Sequence, residues 1–173
     1  MDQKDHIRSL AQSVIDTATA DGTMVAVAES CTGGLISAAL TDIPGASAVL
    51  DRGFITYSYE AKSELLDVDP DIIVDLGAVS APVAEAMAEG ALTHSRADIA
   101  VSVTGIAGPG GGTEDKPVGL VWFALARRGS VVHSKHHIFD NRSREGVRNS
   151  AVETALQFLL TGLTASVDED GAP

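Results

Sequence analysis

Apolar residues recur along this chain with two periods, one typical of helices and one typical of buried strands. Between residues 3 and 20 they fall three and four positions apart, which predicts an amphipathic helix. Residues 23–28 are apolar and partly β-branched, as expected of a buried parallel strand. The same patterns predict further helices at about 31–40, 60–66, 81–95 and 143–161, and further strands at about 50–57, 98–103, 118–126 and 131–139.

The order of these elements predicts the fold class. Helices and strands alternate through the first half, which favours an α/β domain with a largely parallel sheet. Residues 128–130 form a short turn between the last two strands, so at least one pair must be antiparallel. We therefore expect a three-layer α/β/α sandwich on a five-stranded mixed, mostly parallel sheet. Residues 1–162 are predicted to form a single domain and 163–173 an acidic, disordered tail.

Composition and charge exclude several classes of function. The formal net charge of −12 would repel a long phosphate polymer, so no nucleic-acid partner is expected. The single cysteine, Cys31, allows neither an intrachain disulfide nor a multi-thiolate metal site. The amino-terminal residues lack the apolar segment of a signal peptide, and no apolar run approaches the roughly 20 residues that span a bilayer. We expect a cytoplasmic protein without a membrane partner.

Two segments that follow predicted strands have the composition of ligand-binding loops. The first is ESCTGG, residues 29–34, and the second is residues 104–113, which contain six glycines and prolines. Ligands of open α/β sheets bind at the carboxyl ends of the strands, so the two loops are predicted to share one pocket. The second loop matches neither nucleotide-phosphate fingerprint, so ATP is not indicated. The candidate binding residues are Glu29, Cys31, Thr32, Gly33, Gly34, Thr104, Gly105, Gly108 and Gly110.

Ser30 has two interpretations at this stage. A hydroxyl at a strand-to-helix turn can cap the helix, and it can also act as a nucleophile beside amide groups that receive an oxyanion. Cys31 is a rival nucleophile, but a cysteine hydrolase needs a histidine base, and none of the five histidines lies in a candidate loop. Cys31 is therefore interpreted as a packed residue, whereas the cap and nucleophile interpretations of Ser30 both stay open.

A serine without a histidine needs another base, and a lysine with a lowered pKa can serve. Lys62 lies where the 50–57 strand gives way to a helix, near the same sheet edge as Ser30. Most lysines are solvated surface charges, but Tyr57 at the strand end could relay a proton or orient this one. Lys62 and Tyr57 are therefore candidate catalytic residues.

Four blocks, AESCTGG, RGFITYSYEAK, GAVS and VSVTGIAGPGGGTEDKPVGLVWFA, resemble in order the signature blocks of the CinA C-terminal domain family. The likeness covers about residues 5–160, and Tyr59, where the family has a polar residue, is a minor departure. The family's stand-alone members include nicotinamide-nucleotide amidases of pyridine nucleotide salvage. The resemblance implies hydrolysis of the carboxamide of nicotinamide mononucleotide to nicotinate mononucleotide and ammonia. It also implies a three-layer α/β/α fold and a homo-oligomer, for which we favour a dimer.

Under this hypothesis Ser30 is the nucleophile, assisted by Lys62 and Tyr57, with no metal or other cofactor. Amides of the 31–34 turn would hold the oxyanion. Arg144 and Arg148 lie one turn apart in the last predicted helix, so they are candidates for the substrate phosphate or, alternatively, part of a solvated face. Two other functions remain: an amidase for a different small amide, and a non-catalytic module that senses a pyridine nucleotide or binds a protein partner in competence or DNA damage.

Overall fold

The computed structural model describes residues 2–140 and 143–165. The helices are α1 (Gln3–Asp21), α2 (Leu35–Thr41), α3 (Tyr59–Leu66), α4 (Pro70–Leu76), α5 (Ala81–Thr93) and α6 (Arg144–Thr164). The strands are β1 (Val25–Glu29), β2 (Leu50–Ile55), β3 (Ile99–Gly105), β4 (Leu120–Arg127) and β5 (His133–Ile138). The predicted order of elements is confirmed. No helix in these described ranges is both long and apolar enough to cross a membrane.

The five strands form one mixed sheet in the order β2-β1-β3-β4-β5. β1 pairs in parallel with β2 and β3, whereas β4 runs antiparallel to β3 and β5. The predicted fold class is confirmed, because four of the five strands share one direction. Glu29 lies opposite Ile55 and Val103, so the carboxyl ends of β1, β2 and β3 meet at one edge of the sheet.

The two faces of the sheet differ in side-chain size. Side chains alternate along a strand, so β1, β3 and β4 each contribute to two separate cores. The face toward α1, α2 and α6 carries larger residues: Val25, Val27, Ile99, Val101, Val121 and Phe123. The face toward α3, α4 and α5 is rich in alanine: Ala26, Ala28, Ala100, Ala124 and Ala126. The small side chains let α5 lie close to the sheet, where Ser102 Oγ donates to the carbonyl of Ala84 at 2.5 Å.

The helix predicted at 31–40 begins four residues later, at Leu35, so this boundary was wrong. Gly33 and Gly34 have φ angles of 58° and 102°, in the left-handed region that favours glycine. The Gly33 amide donates to the Ser30 carbonyl at 3.0 Å, which closes a turn before the helix. A separate non-helical turn therefore carries Ser30, and no helix starts directly after it.

The other predicted boundaries differ from the observed ones by at most three residues. β2 ends at Ile55, so Thr56 and Tyr57 lie beyond the strand. At Pro70 the sequence predicts only a further short turn, whereas the structure has the helix α4 there. α6 continues to Thr164, so residues 163 and 164 of the predicted tail are helical. The rest of that tail, residues 166–173, lies outside the described residues.

Gly90 lets α5 pack against the last turn of α3. A Cβ atom at this position would overlap the Leu66 carbonyl oxygen and lie 2.8 Å from its carbonyl carbon. These are backbone atoms, so they cannot move aside by a side-chain rotation. The position of α3 therefore depends on the absence of a side chain at Gly90.

We expect Gly90→Ala to lower the free energy of unfolding by about 3 kcal/mol, since the overlap outweighs the better helix propensity of alanine. Gly162→Ala is the matched control, because a Cβ there meets the ends of the Leu125 and Ile99 side chains, which can adjust. Urea denaturation of both variants measures the difference. Equal stability of the two would contradict the close backbone contact.

Candidate active site

One cavity of about 270 Å³ lies at the sheet edge where β1 and β3 end. Both predicted loops contribute to its walls. The lining residues are Ser30, Cys31, Tyr57, Tyr59, Lys62, Ala78, Val79, Thr104, Gly105, Ile106, Ala107, Gly108, Gly110, Gly111 and Arg144. A second hollow of about 330 Å³ between α1, α2 and α6 contains none of the predicted site residues.

A buried hydrogen bond joins Lys62 to Ser30 in this cavity. Lys62 Nζ donates to Ser30 Oγ at 2.9 Å and to the Thr56 carbonyl at 2.7 Å, and its residue is 1% exposed. Ser58 caps α3 by accepting from the Ala61 amide at 3.0 Å, so Lys62 projects from the first turn of a fixed helix. The structure thus brings together the two residues that sequence considerations proposed as nucleophile and base.

Burial lowers the pKa of Lys62 from 10.5 to about 8, because the charged ammonium loses its hydration. A thiolate at Cys31 would oppose this shift. That thiol stays protonated near neutral pH, however, because burial raises its own pKa to about 12. Lys62 therefore has an appreciable neutral fraction near neutral pH, as a general base requires.

Glu29 resolves the two interpretations of Ser30. Its fully buried carboxylate accepts from the amides of Ile36 and Ser37 at 2.9 and 3.0 Å, and from Ser37 Oγ at 2.8 Å. The first-turn amides of α2 therefore have a carboxylate cap, whose charge also suits the positive end of the helix. Ser30 is not the helix cap, and its hydroxyl is free to face Lys62.

Cys31 borders the cavity but is also part of the core beneath α1, α2 and α6. It is 5% exposed, and its thiol is protonated near neutral pH for the reason given above. Reactive cysteines have lowered pKa values and accessible sulfur atoms. The environment of Cys31 is that of an inert packed residue.

Tyr57 lies at the mouth of the cavity with 58% of its surface exposed. Arg144 donates to the Tyr57 hydroxyl at 2.8 Å and to the Gly108 carbonyl at 2.7 Å. In the described parts of the chain, the hydroxyl of Tyr57 is bonded to Arg144 and to neither Ser30 nor Lys62. Arg144 thereby ties the α3 side of the cavity to its glycine-rich side.

Five predicted binding residues do not border the cavity: Glu29, Thr32, Gly33, Gly34 and Arg148. Arg148 donates instead to the carbonyls of Cys31 and Thr32, at 3.0 and 3.1 Å. The glycines leave room for neighbouring side chains, because a Cβ on Gly33 would lie 3.3 Å from Arg148 Nη2 and one on Gly34 3.1 Å from Ile55 Cδ1. These residues shape the turn that carries Ser30.

Sequence considerations missed several parts of the site. Tyr59 lies one turn before Lys62 on α3, and this three-residue spacing was a usable signal. Thr56 contributes its backbone carbonyl to Lys62. Every residue has such a carbonyl, so the amino-acid type at this position could not have predicted the contact. Ala78 and Val79 belong to the GAVS block, and the Ala78 carbonyl accepts from Thr104 Oγ1 at 2.9 Å.

Residues 7–163 match the CinA C-terminal domain. The chain belongs to the CinA C-terminal domain family. A CinA-like protein of Akkermansia muciniphila is 48% identical over 88% of this chain, and the match spans 36% of that longer relative. The nicotinamide-nucleotide amidohydrolase PncC of Escherichia coli is 46% identical over 88% of this chain and 92% of its own length.

Solved structures of CinA-type proteins share the fold. The crystal structure of a competence/damage inducible protein from Agrobacterium tumefaciens has a TM-score of 0.90 and 48% identity, covering 92% of this chain and 96% of its own. A CinA superfamily protein from Klebsiella pneumoniae has a TM-score of 0.86 and 36% identity, covering 91% of this chain and 97% of its own. This chain thus shares its three-layer arrangement with these two proteins.

We expect Cys31 to resist alkylation by iodoacetamide at pH 7.5 in the native protein, because its thiol is buried and protonated. Mass spectrometry after a timed exposure measures the modified fraction. The same protein in urea is the control and should react fully. Rapid modification of the native protein would contradict the inert environment described for this residue.

Proposed function

We propose that this protein hydrolyses the carboxamide of nicotinamide mononucleotide to nicotinate mononucleotide and ammonia. The observation that carries the proposal is the buried hydrogen bond of 2.9 Å between Lys62 Nζ and Ser30 Oγ in an accessible cavity. The likeness to PncC amidohydrolases, which extends over nearly their whole length, supports the choice of substrate.

In the first step, neutral Lys62 takes the proton of Ser30 as Oγ bonds to the carboxamide carbon. The electron pair of the C=O bond moves to the oxygen, which becomes an oxyanion. When this oxygen re-forms its double bond, the C–N bond breaks. The Lys62 ammonium donates its proton to the departing nitrogen, so ammonia leaves and a nicotinoyl ester remains on Ser30.

In the second step, water attacks the ester carbon and Lys62 again accepts the proton. Collapse of the second tetrahedral intermediate returns the proton from Lys62 to Ser30 and releases the carboxylic acid. The acid then loses its remaining proton to water and becomes the carboxylate product. A buried lysine suits both steps, because its two protonation states lie close in free energy near neutral pH.

Two further features fit a nucleotide substrate. Gly108, Gly110 and Gly111 line the cavity, and amides of glycine-rich loops bind phosphate oxygens in many proteins. Arg144 is the permanently charged cation among the residues listed above for the cavity wall, so it is our candidate for the phosphate. Tyr57, held by Arg144, would orient the substrate at the cavity mouth.

Several expectations stay predictions. These are the homo-oligomer, the cytoplasmic location, and the absence of a nucleic-acid partner and of a cofactor.

We expect the purified protein to release ammonia from nicotinamide mononucleotide in a coupled assay. Ser30→Ala and Lys62→Met should each lower turnover at least a thousandfold, since nucleophile and base act as one unit. Lys135→Met is the matched control: Lys135 also has a pKa lowered by burial, but it lies on β5 away from the cavity. Its turnover should equal that of the parent.

Folding controls make this experiment decisive. Lys62→Met should be at least as stable as the parent at pH 7, because the substitution removes a buried charge. Binding of the nucleotide without ammonia release would contradict the amidase proposal and favour the sensing module. Release of ammonia only from other small amides, in an assay across a panel of nucleotides and nucleosides, would contradict the proposed substrate.

We expect kcat/KM to rise with pH and to level off above about pH 8. The active form has neutral Lys62, whose fraction increases as pH passes its pKa of about 8 in the free protein. Rates from pH 6 to 9.5, under conditions where the fold is unchanged, measure this profile. A value of kcat/KM that falls through this range would contradict the role of Lys62 as base.

A further inference from the structure

Arg148 holds the turn that carries Ser30 from the side of α6. Its Nε donates to the Cys31 carbonyl at 3.0 Å and its Nη2 to the Thr32 carbonyl at 3.1 Å. We propose that Arg148 is a positioning residue that aims the Cys31 amide at the oxyanion formed on the substrate. The inference rests on the proposed function and adds a role for a residue outside the cavity.

The geometry is transmitted through consecutive peptide planes. In a planar trans peptide, the carbonyl of one residue and the amide of the next point in opposite directions. Arg148 fixes the Thr32 carbonyl, so the Gly33 amide points away from the guanidinium. That amide donates to the Ser30 carbonyl at 3.0 Å. The Ser30–Cys31 plane is fixed in turn, and the Cys31 amide points opposite to the Ser30 carbonyl.

Cys31 directly follows Ser30 and borders the cavity, so its amide is our candidate oxyanion donor. Within residues 2–140 and 143–165, this amide has no acceptor on another residue; it contacts the sulfur of its own side chain, a weak acceptor that an oxyanion can replace. Gly33 uses its amide inside the turn, whereas Thr32 and Gly34 do not border the cavity. An amide directly after the nucleophile moves with it, so it can meet an oxyanion that forms on the atom Ser30 attacks.

The charge of Arg148 supports the same role as its hydrogen bonds, because it favours donation by the amides of the turn. A cation at the Cys31 and Thr32 carbonyls polarises their peptide groups and strengthens the Thr32 and Gly33 amides as donors. The Gly33 amide donates to the Ser30 carbonyl, so the polarisation extends to the Ser30–Cys31 peptide and its amide. The site also requires this residue type: two neighbouring nitrogens of one guanidinium reach two carbonyls, whereas a lysine has one nitrogen. Gly33 admits the guanidinium, because a Cβ there would lie 3.3 Å from Nη2.

The test separates positioning from general stabilisation by comparing Arg148→Met with Arg128→Met. Arg128 makes a similar set of contacts, to the carbonyls of Ala97, Leu92 and Ser95 at 2.7, 2.8 and 3.0 Å, but near the amino end of β3. Both variants lose an arginine that binds carbonyls. They differ in whether those carbonyls belong to the turn beside the nucleophile.

We expect Arg148→Met to lower kcat on nicotinamide mononucleotide on the order of tenfold to a hundredfold with little change in KM, since an oxyanion donor contributes to the transition state alone. The second readout is the inhibition constant of the matching pyridine-3-carbaldehyde nucleotide, which Ser30 would convert to a tetrahedral adduct. This constant should rise by a similar factor. A partly unfolded sample would lower the apparent kcat but would leave the inhibition constant of the folded fraction unchanged.

For Arg148→Lys, both kcat and the inhibition constant should lie between those of the parent and those of Arg148→Met. This variant keeps the test valid if the methionine variant does not fold. Parental kcat and inhibition constant in both Arg148 variants would overturn the inference. An equal change of the inhibition constant in Arg128→Met would overturn it as well. A parent protein that releases no ammonia would overturn the proposed function itself, and this role with it.

Discussion

The buried amino group of Lys62 is the constraint on which the site depends. Removing a lysine from water is unfavourable, and the structure offsets part of this cost with the Thr56 carbonyl and Ser30 Oγ. The remaining desolvation appears as a lowered pKa, which makes the group a base near neutral pH. The same burial that weakens the folded state therefore generates the reactivity, and the close packing of α5 at Gly90 helps to hold α3 in place.

Two adjacent residues at the end of β1 serve opposite layers of the sandwich. Side chains alternate along a strand, so Glu29 reaches the amides of α2 and Ser30 reaches Lys62 on α3. The carboxylate cap satisfies the start of α2 and leaves the serine hydroxyl free. Arg148 then secures the turn from α6. The site thus lies where both helical layers meet the carboxyl edge of the parallel strands.

The fold was largely predictable because the spacing of apolar residues in a short segment shows which face of a helix or strand is buried. The helix at 31–40 shows the limit of that signal: two glycines with left-handed φ delay its start to Leu35, and periodicity cannot register backbone conformation. Of the site, the pairing of Ser30 with Lys62 followed from the need of a serine for a base. Arg148 was predicted as a candidate for the substrate phosphate, but its guanidinium binds carbonyls of the chain itself and does not border the cavity.

The amino-acid sequence by itself determined the order of elements, the mixed sheet, and the residue types able to perform acyl transfer. These follow from spacing and side-chain chemistry, which are properties of short segments. Only the tertiary structure decided which of two neighbouring residues caps α2, which amides remain available, and whether Lys62 is buried. Each of these depends on atoms that are far apart in the chain, such as Thr56 O, Lys62 Nζ and Ser30 Oγ, and hydrogen bonding and desolvation act only once folding has brought them together.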